Sequence, residues 1–478
     1  MPPTRSRTFG VRHPAPARAL AVAVLSIFAA GPVAGSLVAQ QVDFDALGQE
    51  AVDWVQRYVR INTVNPPGNE IRGAEFFAKI FEAEGIPYEI AESAPGRANI
   101  WARLEGGDAP ALVLLHHMDV VPADKRYWDV DPLSGEIRDG YIYGRGTLDT
   151  KTGGILDLAA FLALHRSGVK LNRDVIFMAT ADEEAGGFYG AGWLVKNRPE
   201  LFEHVGFLLN EGGGGELVDG RVQYGIEVTQ KVPYWLHLTA RGEPGHGSRP
   251  LRSTAVTKLI AALDRLRRHP FPPRIIPAVD AYFKGIAPSA PEKWRVRYAD
   301  MARAIHEPGV LEELQKDNPG LHALTRNTCS ITRLEGSDKI NVVPPEVSAE
   351  LDCRLLPDQD PQAFLDELGT VLGDDIEVRT IMGFTPAVST TDTDLYRDIV
   401  AVSKEYFPGA SVVPSVLGGF TDSHFFRDLG IVCYGYEASV IPLEDAGGVH
   451  GNNEGVSIEN VRRGVRMTWD IVRRFVVR

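Results

Sequence analysis

The sequence is poor in cysteine, with only three among 478 residues. An odd number of cysteines without any Cys-x-x-Cys spacing argues against a disulfide framework and against a thiolate zinc site. We therefore expect Cys329, Cys353 and Cys433 to be mostly buried thiols. Because cysteines do pair in exported proteins, a single Cys329–Cys353 disulfide remains the alternative.

Basic residues are also scarce. The chain has 50 Lys and Arg against 63 Asp and Glu, which gives a formal net charge of −13. The first 40 residues hold four of the arginines and no acid, so their removal would leave 46 basic residues and a net charge of −17. Nucleic acid is not expected as a partner, because phosphate binding requires clusters of Lys and Arg.

The N-terminal segment lacks the length and continuity of a membrane anchor. Its apolar stretch is short and is interrupted by Gly31-Pro32 and Gly35. A charged start followed by such a stretch is typical of a secretory signal peptide, which we place at residues 1–40 with cleavage near Ala39 or Gln40. A transmembrane helix is the less fitting alternative. We therefore expect an exported protein, periplasmic or extracellular, that is not stably inserted in a membrane after cleavage. The charges that support this interpretation are Arg5, Arg7, Arg12 and Arg18.

The rest of the chain is long enough for two domains. In residues 41–228, helical patterns alternate with buried apolar strands such as Ala111–Leu115, which is typical of a mostly parallel sheet flanked by helices. In residues 229–382, the order β-α-β-β-α-β indicates a ferredoxin-like α+β domain, with residues 270–325 as an insertion. The first pattern returns in residues 383–478. We predict an α/β catalytic domain interrupted by a smaller lid or dimerisation domain.

Residues that can bind metal ions or move protons follow the predicted strands at their carboxyl ends. Ligands bind at this edge in open parallel sheets. Each residue alone has an ordinary explanation: Asp149, for example, precedes a helix and would suit an N-cap. Five together are hard to explain as solvated loop residues. They are His117, Asp149, Glu183, Glu184 and Glu211.

Two short segments suggest how these groups are used. Side chains alternate along a strand, so His117 and Asp119 point to one side, where the carboxylate can fix the tautomer of a ligating imidazole. Glu183 and Glu184 follow a buried strand, where adjacent acids cost desolvation unless a positive charge compensates them. Separate tasks would explain this cost, with one glutamate binding a metal and the other moving a proton. A solvated acidic turn is the alternative.

Seven motifs, in order along nearly the whole mature chain, resemble those of the M20 metallopeptidases. The similarity is greatest to the carboxypeptidase S and N-acyl-amino-acid hydrolase branch. The motifs are His117-x-Asp-Val-Val-Pro, Gly144-Arg-Gly-x-x-Asp-x-Lys, Asp182-Glu-Glu-x-Gly-Gly, Gly245-His-Gly-Ser, Asn341-Val-Val-Pro-Pro, Asp352-x-Arg-x-x-Pro and His450-Gly-x-Asn-Glu.

The resemblance implies two zinc ions, with cobalt and manganese as possible substitutes. His117 and Glu211 would complete one site, Glu184 and His450 the other, and Asp149 would bridge them. It further implies that Asp119 orients His117 and that Glu183 is the general base.

The resemblance also gives roles to three residues of the lid domain. His246 would reach the active site of a neighbouring subunit and stabilise an oxyanion, which implies a homodimer. Arg354 would bind a substrate carboxylate through a two-pronged contact, and Asn341 would help to hold the substrate. Whether His246 acts within one subunit or across a dimer stays open.

Three positions depart from the family pattern: His116, Asn210 and Phe420. We interpret His116 as a packing residue, and Phe420 as a residue that narrows the pocket. None removes a ligand, so we expect a metal-dependent hydrolase that cleaves an amide next to a free carboxylate, as carboxypeptidases and N-acyl-amino-acid hydrolases do. A dipeptidase or another deacylase is the alternative on the same site. A non-catalytic binding or scaffold protein is the alternative from another class.

Overall fold

The computed structural model describes residues 42–218, 220–442 and 448–477. The predicted signal peptide, residues 1–40, lies outside the described residues. Within them, no helix is both long and apolar enough to cross a membrane.

Fourteen α-helices and nineteen strands are named here in chain order. The helices are α1 (Phe44–Val59), α2 (Ile71–Glu84), α3 (Lys151–Ser167), α4 (Ala191–Asn197), α5 (Ala255–Arg268), α6 (Pro277–Ile286), α7 (Glu292–Ala299), α8 (Met301–Ala304), α9 (Val310–Asp317), α10 (Pro319–Ala323), α11 (Pro361–Leu372), α12 (Asp394–Tyr406), α13 (Ser423–Arg427) and α14 (Ile458–Val476). The strands are β1 (Tyr88–Ala94), β2 (Arg97–Leu104), β3 (Ala109–His117), β4 (Glu136–Arg138), β5 (Tyr141–Tyr143), β6 (Arg173–Thr180), β7 (Val205–Asn210), β8 (Gly214–Val218), β9 (Arg221–Gln230), β10 (Val232–Arg241), β11 (Gly245–His246), β12 (Thr328–Glu335), β13 (Val342–Val343), β14 (Glu346–Leu355), β15 (Ile376–Gly383), β16 (Ser411–Leu417), β17 (Val432–Gly435), β18 (Val440–Pro442) and β19 (Gly455–Ser457).

The larger sheet has the strand order β1-β2-β6-β3-β7-β17-β9-β8-β18, and β16 also pairs with β9. The central strands β6, β3, β7 and β17 run parallel, whereas β1 with β2, β2 with β6 and β8 with β9 are antiparallel. The sheet is therefore mixed, with a parallel centre and two further parallel pairs, β16 with β9 and β18 with β8. With helices on both faces, it confirms the predicted α/β class.

Strand β3 shows why a central strand of this sheet has a continuously apolar sequence. Leu112 and Leu114 belong to the core formed with α1, α2, α3 and α14. Val113 and Leu115 point to the other face and pack with residues of α4 and α13. Since both faces are covered, polar residues return only where the strand ends, at His116 and His117.

Helix α3 connects the site to the core. It begins directly after Asp149-Thr150 and is buried along most of its length, between the sheet, α1 and α14. Gly168 ends it at φ +62°, a left-handed conformation that glycine adopts without steric cost. The start of a buried helix thus gives Asp149 a rigid support.

The smaller sheet has the order β12-β14-β10-β15, with antiparallel pairing throughout. Helices α5 and α11 pack on one face, which is the arrangement expected for a ferredoxin-like domain. Helices α6 to α10 fall within the predicted insertion and pack in a core that also includes Val413 and Val416 of β16. β9 ends at Gln230 and β15 at Gly383, close to the predicted boundaries, which stay predictions.

The expectation of mostly free thiols is wrong for two of the three cysteines. Cys329 on β12 and Cys353 on β14 stand directly opposite each other and form a disulfide. Cys433 on β17 is free and fully buried. The Cys329–Cys353 disulfide, which was the alternative expectation, is therefore the one formed, because the strand register places both side chains on one face of the sheet.

Candidate metal centre

Three neighbouring strands deliver acidic and histidine side chains to one edge of the larger sheet. His117 is the last residue of β3, Glu183 and Glu184 follow β6 in a short turn of 3₁₀ helix, and Glu211 directly follows β7. Because β6, β3 and β7 are adjacent and parallel, these residues lie side by side. The predicted grouping at the carboxyl edge is thus formed.

Asp149 stands between two histidines. Its Oδ1 lies 3.1 Å from Nε2 of His117, and its Oδ2 lies 2.9 Å from Nε2 of His450. Glu211 Oε1 is 3.6 Å from the His117 nitrogen, and Glu184 Oε2 is 3.2 Å from the His450 nitrogen. Possible ligand atoms of His117, Asp149 and Glu184 lie within 4.8 Å of one another, as do those of His117, Glu183 and Glu211. The structure thus brings the predicted ligands together, and their division between two metal ions stays a prediction.

Glu183 also lies in this cluster, in a group with His117 and Glu211. Its Oε2 lies 3.9 Å from Nε2 of His117. Its Oε1 is buried and accepts no hydrogen bond from the part of the chain that the structure describes. Burial raises the pKa of Glu183 well above its usual value, and the charge of Glu211 adds to the rise. A buried carboxylate with one unused oxygen suits a group that handles protons.

The pKa values of the clustered side chains indicate whether the cluster is suited to bind cations. Burial raises the pKa of Glu211 to about 7. Burial also opposes the ionisation of Asp149, but hydrogen bonds from His117 and His450 hold its pKa well below the usual value. Hydrogen bonds to Asp149 and Glu184 raise the pKa of His450 to about 10. The converging carboxylates require a compensating positive charge. Carboxylate oxygens together with imidazole nitrogens are donors that divalent transition metals prefer. The residues present fit two metal ions.

The comparison with known families agrees with this geometry. The sequence pattern of peptidase family M20/M25/M40 matches residues 113–474, which is most of the chain.

The chain belongs to peptidase family M20.

Relatives of this M20 chain include hydrolases of N-acyl amino acids. It is 32% identical over 402 residues to the N-fatty-acyl-amino acid synthase/hydrolase of Xenopus tropicalis, covering 80% of this chain and 76% of the relative. It is 28% identical over 405 residues to aminoacylase-1 of Sus scrofa, covering 81% and 86%. An M20 metallo-carboxypeptidase of Sulfolobus solfataricus shares the fold, with a TM-score of 0.66, 21% identity and coverage of 88% and 98%. The M20 chain is thus an amidohydrolase, and the non-catalytic alternative is set aside.

Asp119 supports the M20 site through its carboxylate. Its two oxygens accept the backbone N–H groups of Glu183 and Glu184 at 3.1 and 3.2 Å, and the side-chain amide of Asn65 at 2.8 Å. His117 Nδ1 lies 3.0 Å from the main-chain carbonyl of Asp119 but 3.6 Å from its carboxylate. The carbonyl is therefore the hydrogen-bond acceptor, and the carboxylate mainly holds the glutamate turn while adding negative charge beside the imidazole.

The positive charge expected near the acidic turn is Arg97. Its guanidinium donates to Asp182 at 2.7 Å and to both oxygens of Glu70 at 2.7 Å, all in buried surroundings. Asp182 has φ +73°, a left-handed conformation that turns the chain so that Glu183 and Glu184 face the cluster. Arg97 thus compensates the negative charge of Asp182, the first acid of the turn, whose burial would otherwise be costly.

A buried ion pair that we did not single out from the sequence joins two of the M20 motifs. Arg145 donates to Glu454 at 2.7 Å, and both side chains are almost fully buried. Glu454 also accepts the backbone N–H groups of Gly146, Leu148 and Asp149, while Arg145 donates to the carbonyls of His450 and Gly451. The pair therefore holds the loop of Asp149 against the loop of His450. Arg145 and Glu454 both lie inside motifs that resemble those of the M20 family, and this was the sequence signal that could have identified them.

The lid residues are placed differently from one another. Arg354 makes a two-pronged contact with Asp352 at 2.7 and 3.1 Å, and its buried Nη1 has no acceptor among the described residues. His246 is exposed, and its Nδ1 accepts from the backbone N–H of Ser248 at 3.1 Å. Asn341 lies beside this loop, since its carbonyl accepts from Gly247 at 2.9 Å. No hydrogen bond or ion pair links His246 or Asn341 to the metal cluster within the described residues, so their roles stay predictions.

The three departures from the family pattern have structural explanations. His116 is buried among Tyr58, Phe77 and the backbone of Gly154, and burial lowers its pKa to about 3. It is a packing residue, as the strand alternation predicted. Asn210 donates to Ser423 at 3.1 Å. Phe420 lies under Arg354, with its ring centroid 5.6 Å from the guanidinium carbon.

Proposed function

We propose that this M20 protein is a metal-dependent hydrolase that cleaves the amide bond of N-acyl amino acids or of peptides at a C-terminal residue. The observation that carries the proposal is the position of Asp149 between His117 and His450, with the buried carboxylate of Glu183 in the same cluster. The N-acyl-amino-acid hydrolases among its relatives support the choice of substrate class.

The residues that would hold the cations are His117 and Glu211 for one, His450 and Glu184 for the other, with Asp149 shared. Zinc is the proposed metal, and cobalt or manganese would suit the same donors. When bound, two such cations polarise the scissile carbonyl and make a water molecule acidic enough to lose its proton near neutral pH.

Glu183 would take that proton and pass it to the leaving amine. Its unpartnered Oε1 is free to accept, and burial favours its protonated form, so it can return the proton later in the reaction. Asp119 fixes the turn that carries Glu183 by accepting its backbone N–H. The base is thus held rigidly beside the cluster.

Arg354 would bind the free carboxylate of the substrate. Asp352 holds one side of its guanidinium, and the unsatisfied Nη1 leaves a donor for a second carboxylate. Asn341 and His246 would complete the substrate contacts, with His246 stabilising the oxyanion.

We expect N-acyl amino acids to be hydrolysed and the corresponding carboxamides, which lack the free carboxylate, to react about 100-fold more slowly. A charged hydrogen bond to Arg354 is worth roughly that factor. The measurement is kcat/KM for matched acid and amide pairs, with and without a chelator, followed by added Zn²⁺. Equal rates for acid and amide would contradict the carboxylate specificity, and rates unaffected by metal removal would contradict the metal dependence.

We propose further that two copies associate through the lid domain. In the described part of the chain, β12 is an edge strand that pairs only with β14. An apolar patch, which we call the lid edge, is exposed on this strand and in the nearby β13 loop, next to His246. Such an edge favours pairing with a second copy, which would bring His246 to the partner's site. Its residues are Ile331, Leu334, Ile340 and Val342.

Leu334→Arg is expected to convert the dimer into a monomer and to reduce activity in parallel, because a buried charge would oppose the lid-edge contact. Sedimentation equilibrium gives the mass, and the hydrolysis assay gives the activity. Ile260→Arg, an equally exposed position on α5, is the matched control and should leave the dimer intact. A parent protein that is monomeric and fully active would refute the association.

A further inference from the structure

Thr150, which directly follows the proposed ligand Asp149, directs its hydroxyl away from its own helix. It stands at the N-cap position of α3, but its side chain accepts no hydrogen bond from the described first turn of that helix. A threonine at this position commonly caps the helix. Here the hydroxyl instead donates to Oε1 of Glu437 at 2.8 Å, across 287 positions of the sequence.

Little space remains around this hydrogen bond. A Cβ added to Gly153 would lie 2.9 Å from Oγ1 of Thr150 and 3.4 Å from Oε1 of Glu437. Thr150 itself is 1% exposed. Removal of one partner from such a buried hydrogen bond leaves the other polar group unsatisfied. The contact is therefore a specific one between the start of α3 and the segment that follows β17.

The main chain of Glu437 is fixed to the segment that carries Glu211. β17 runs parallel to β7, the strand that Glu211 directly follows, and Gly435 stands opposite Asn210. Beyond the strand, the backbone N–H of Glu437 donates to the carbonyl of Gly213 at 3.2 Å. A Cβ at Gly435 would lie 2.3 Å from the carbonyl oxygen of Glu211, so the two segments are in close backbone contact.

We propose that Glu437 is a positioning residue that sets the separation between Asp149 and Glu211. Its main chain is held by the Glu211 segment, and its side chain holds the residue next to Asp149. It therefore links two ligands that the proposed function, on which this inference rests, assigns to the same cation. Thr150, Glu211 and Glu437 also line one small internal cavity, so the three side chains are close neighbours.

Two buried glutamates thus support Asp149 from opposite sides. Glu454 accepts the backbone N–H of Asp149 and belongs to the contact with the His450 loop, whereas Glu437 reaches the same loop from the side of Glu211. Loss of Glu437 should therefore weaken the cation bound beside Glu211 and spare the cation bound beside His450.

The test is calorimetric titration of the metal-free protein with Zn²⁺. Glu437→Leu and Thr150→Val should each lower the affinity of one of two sites about 10- to 100-fold, the usual effect of losing a contact that supports a metal ligand. Glu437→Gln and Thr150→Ser keep the acceptor oxygen and the hydroxyl and should restore most of the affinity. Thr152→Val is the matched control, because that buried hydroxyl has no hydrogen-bond partner among the described residues.

Two further readouts separate positioning from a general structural role. The double variant Glu437→Leu with Thr150→Val should lose no more affinity than either single variant, because both remove the same contact. The rise in Tm on addition of Zn²⁺ should be smaller in Thr150→Val than in the parent, whereas a purely structural role would lower Tm equally with and without the metal. Thr150→Val is nearly isosteric, so it tests the contact even if Glu437→Leu does not fold.

The outcomes distinguish this inference from the proposed function. Equal affinities in the parent and Thr150→Val, an equal loss at both sites, or Gln and Ser variants that bind as weakly as the Leu and Val variants would overturn the role of Glu437. Each of these results would leave the proposed function standing. A parent protein that binds no Zn²⁺ would contradict the proposed function and the inference together.

Discussion

Glu183→Gln is expected to lower kcat about 1,000-fold while both metal ions stay bound. Glutamine keeps the shape of the side chain but cannot accept a proton, and general-base catalysis is typically worth 10²- to 10⁴-fold. Metal binding should survive because the substitution changes none of the five proposed metal ligands, and Glu183 Oε2 lies 3.9 Å from the His117 nitrogen. The measurements are kcat on an N-acyl amino acid and metal content per chain by mass spectrometry.

Two controls make this result specific. Glu203→Gln applies the same change to an exposed glutamate and should leave kcat and metal content unchanged. A Glu183→Gln variant as active as the parent would show that another group takes the proton. A variant that has lost one metal ion would show that Glu183 is a ligand instead.

Glu454→Gln is expected to lower kcat/KM about 100-fold and to reduce the metal content below two ions per chain. The substitution leaves the Arg145 guanidinium buried without its counter-charge, which costs about 3–5 kcal/mol of folding free energy. It also weakens the contacts that hold the Asp149 and His450 loops together, and loss of such supporting contacts typically costs 10- to 100-fold in metal affinity. Calorimetric titration with Zn²⁺ and thermal unfolding measure the two effects.

The matched control for this prediction is Glu405→Gln. It removes the same charge from an exposed ion pair, with Arg474, and should change stability by less than about 1 kcal/mol without affecting metal content. A Glu454→Gln protein with two metal ions, parental stability and parental kcat/KM would show that the buried pair does not organise the site.

Local patterns in the sequence were sufficient to predict the part of the site that parallel strands build. His117, Glu183 and Glu211 each follow an apolar run, and adjacent parallel strands necessarily bring such residues to one edge. Asp149 and His450 are different. Asp149 was grouped with the strand-end residues from its place in the chain, whereas His450 was indicated only by the family motifs. The contact of Arg145 with Glu454, which holds both loops, is revealed by no local pattern.

Strand register could not be predicted from the sequence, and this limited what could be inferred about the rest of the structure. The Cys329–Cys353 bond requires that β12 and β14 align those two residues, a register that spans a bulge and is not encoded in cysteine spacing. Side-chain contacts between distant segments, such as that between Phe384 and Phe420, arise from tertiary packing, which the periodicity of a sequence does not predict.

The sequence separation of 309 positions between Arg145 and Glu454 has a consequence for the biosynthesis of the enzyme. Synthesis proceeds from the N-terminus, and domains fold as their segments emerge. The strands that carry His117, Glu184 and Glu211 are complete long before the ribosome reaches His450. A chain that ended before residue 410 would lack β16, β17 and α14 as well as His450, so both the sheet and the ligand set would be incomplete. The chain therefore becomes able to hydrolyse substrate only late in biosynthesis, when the loop of His450 and Glu454 packs against the loop of Arg145 and Asp149.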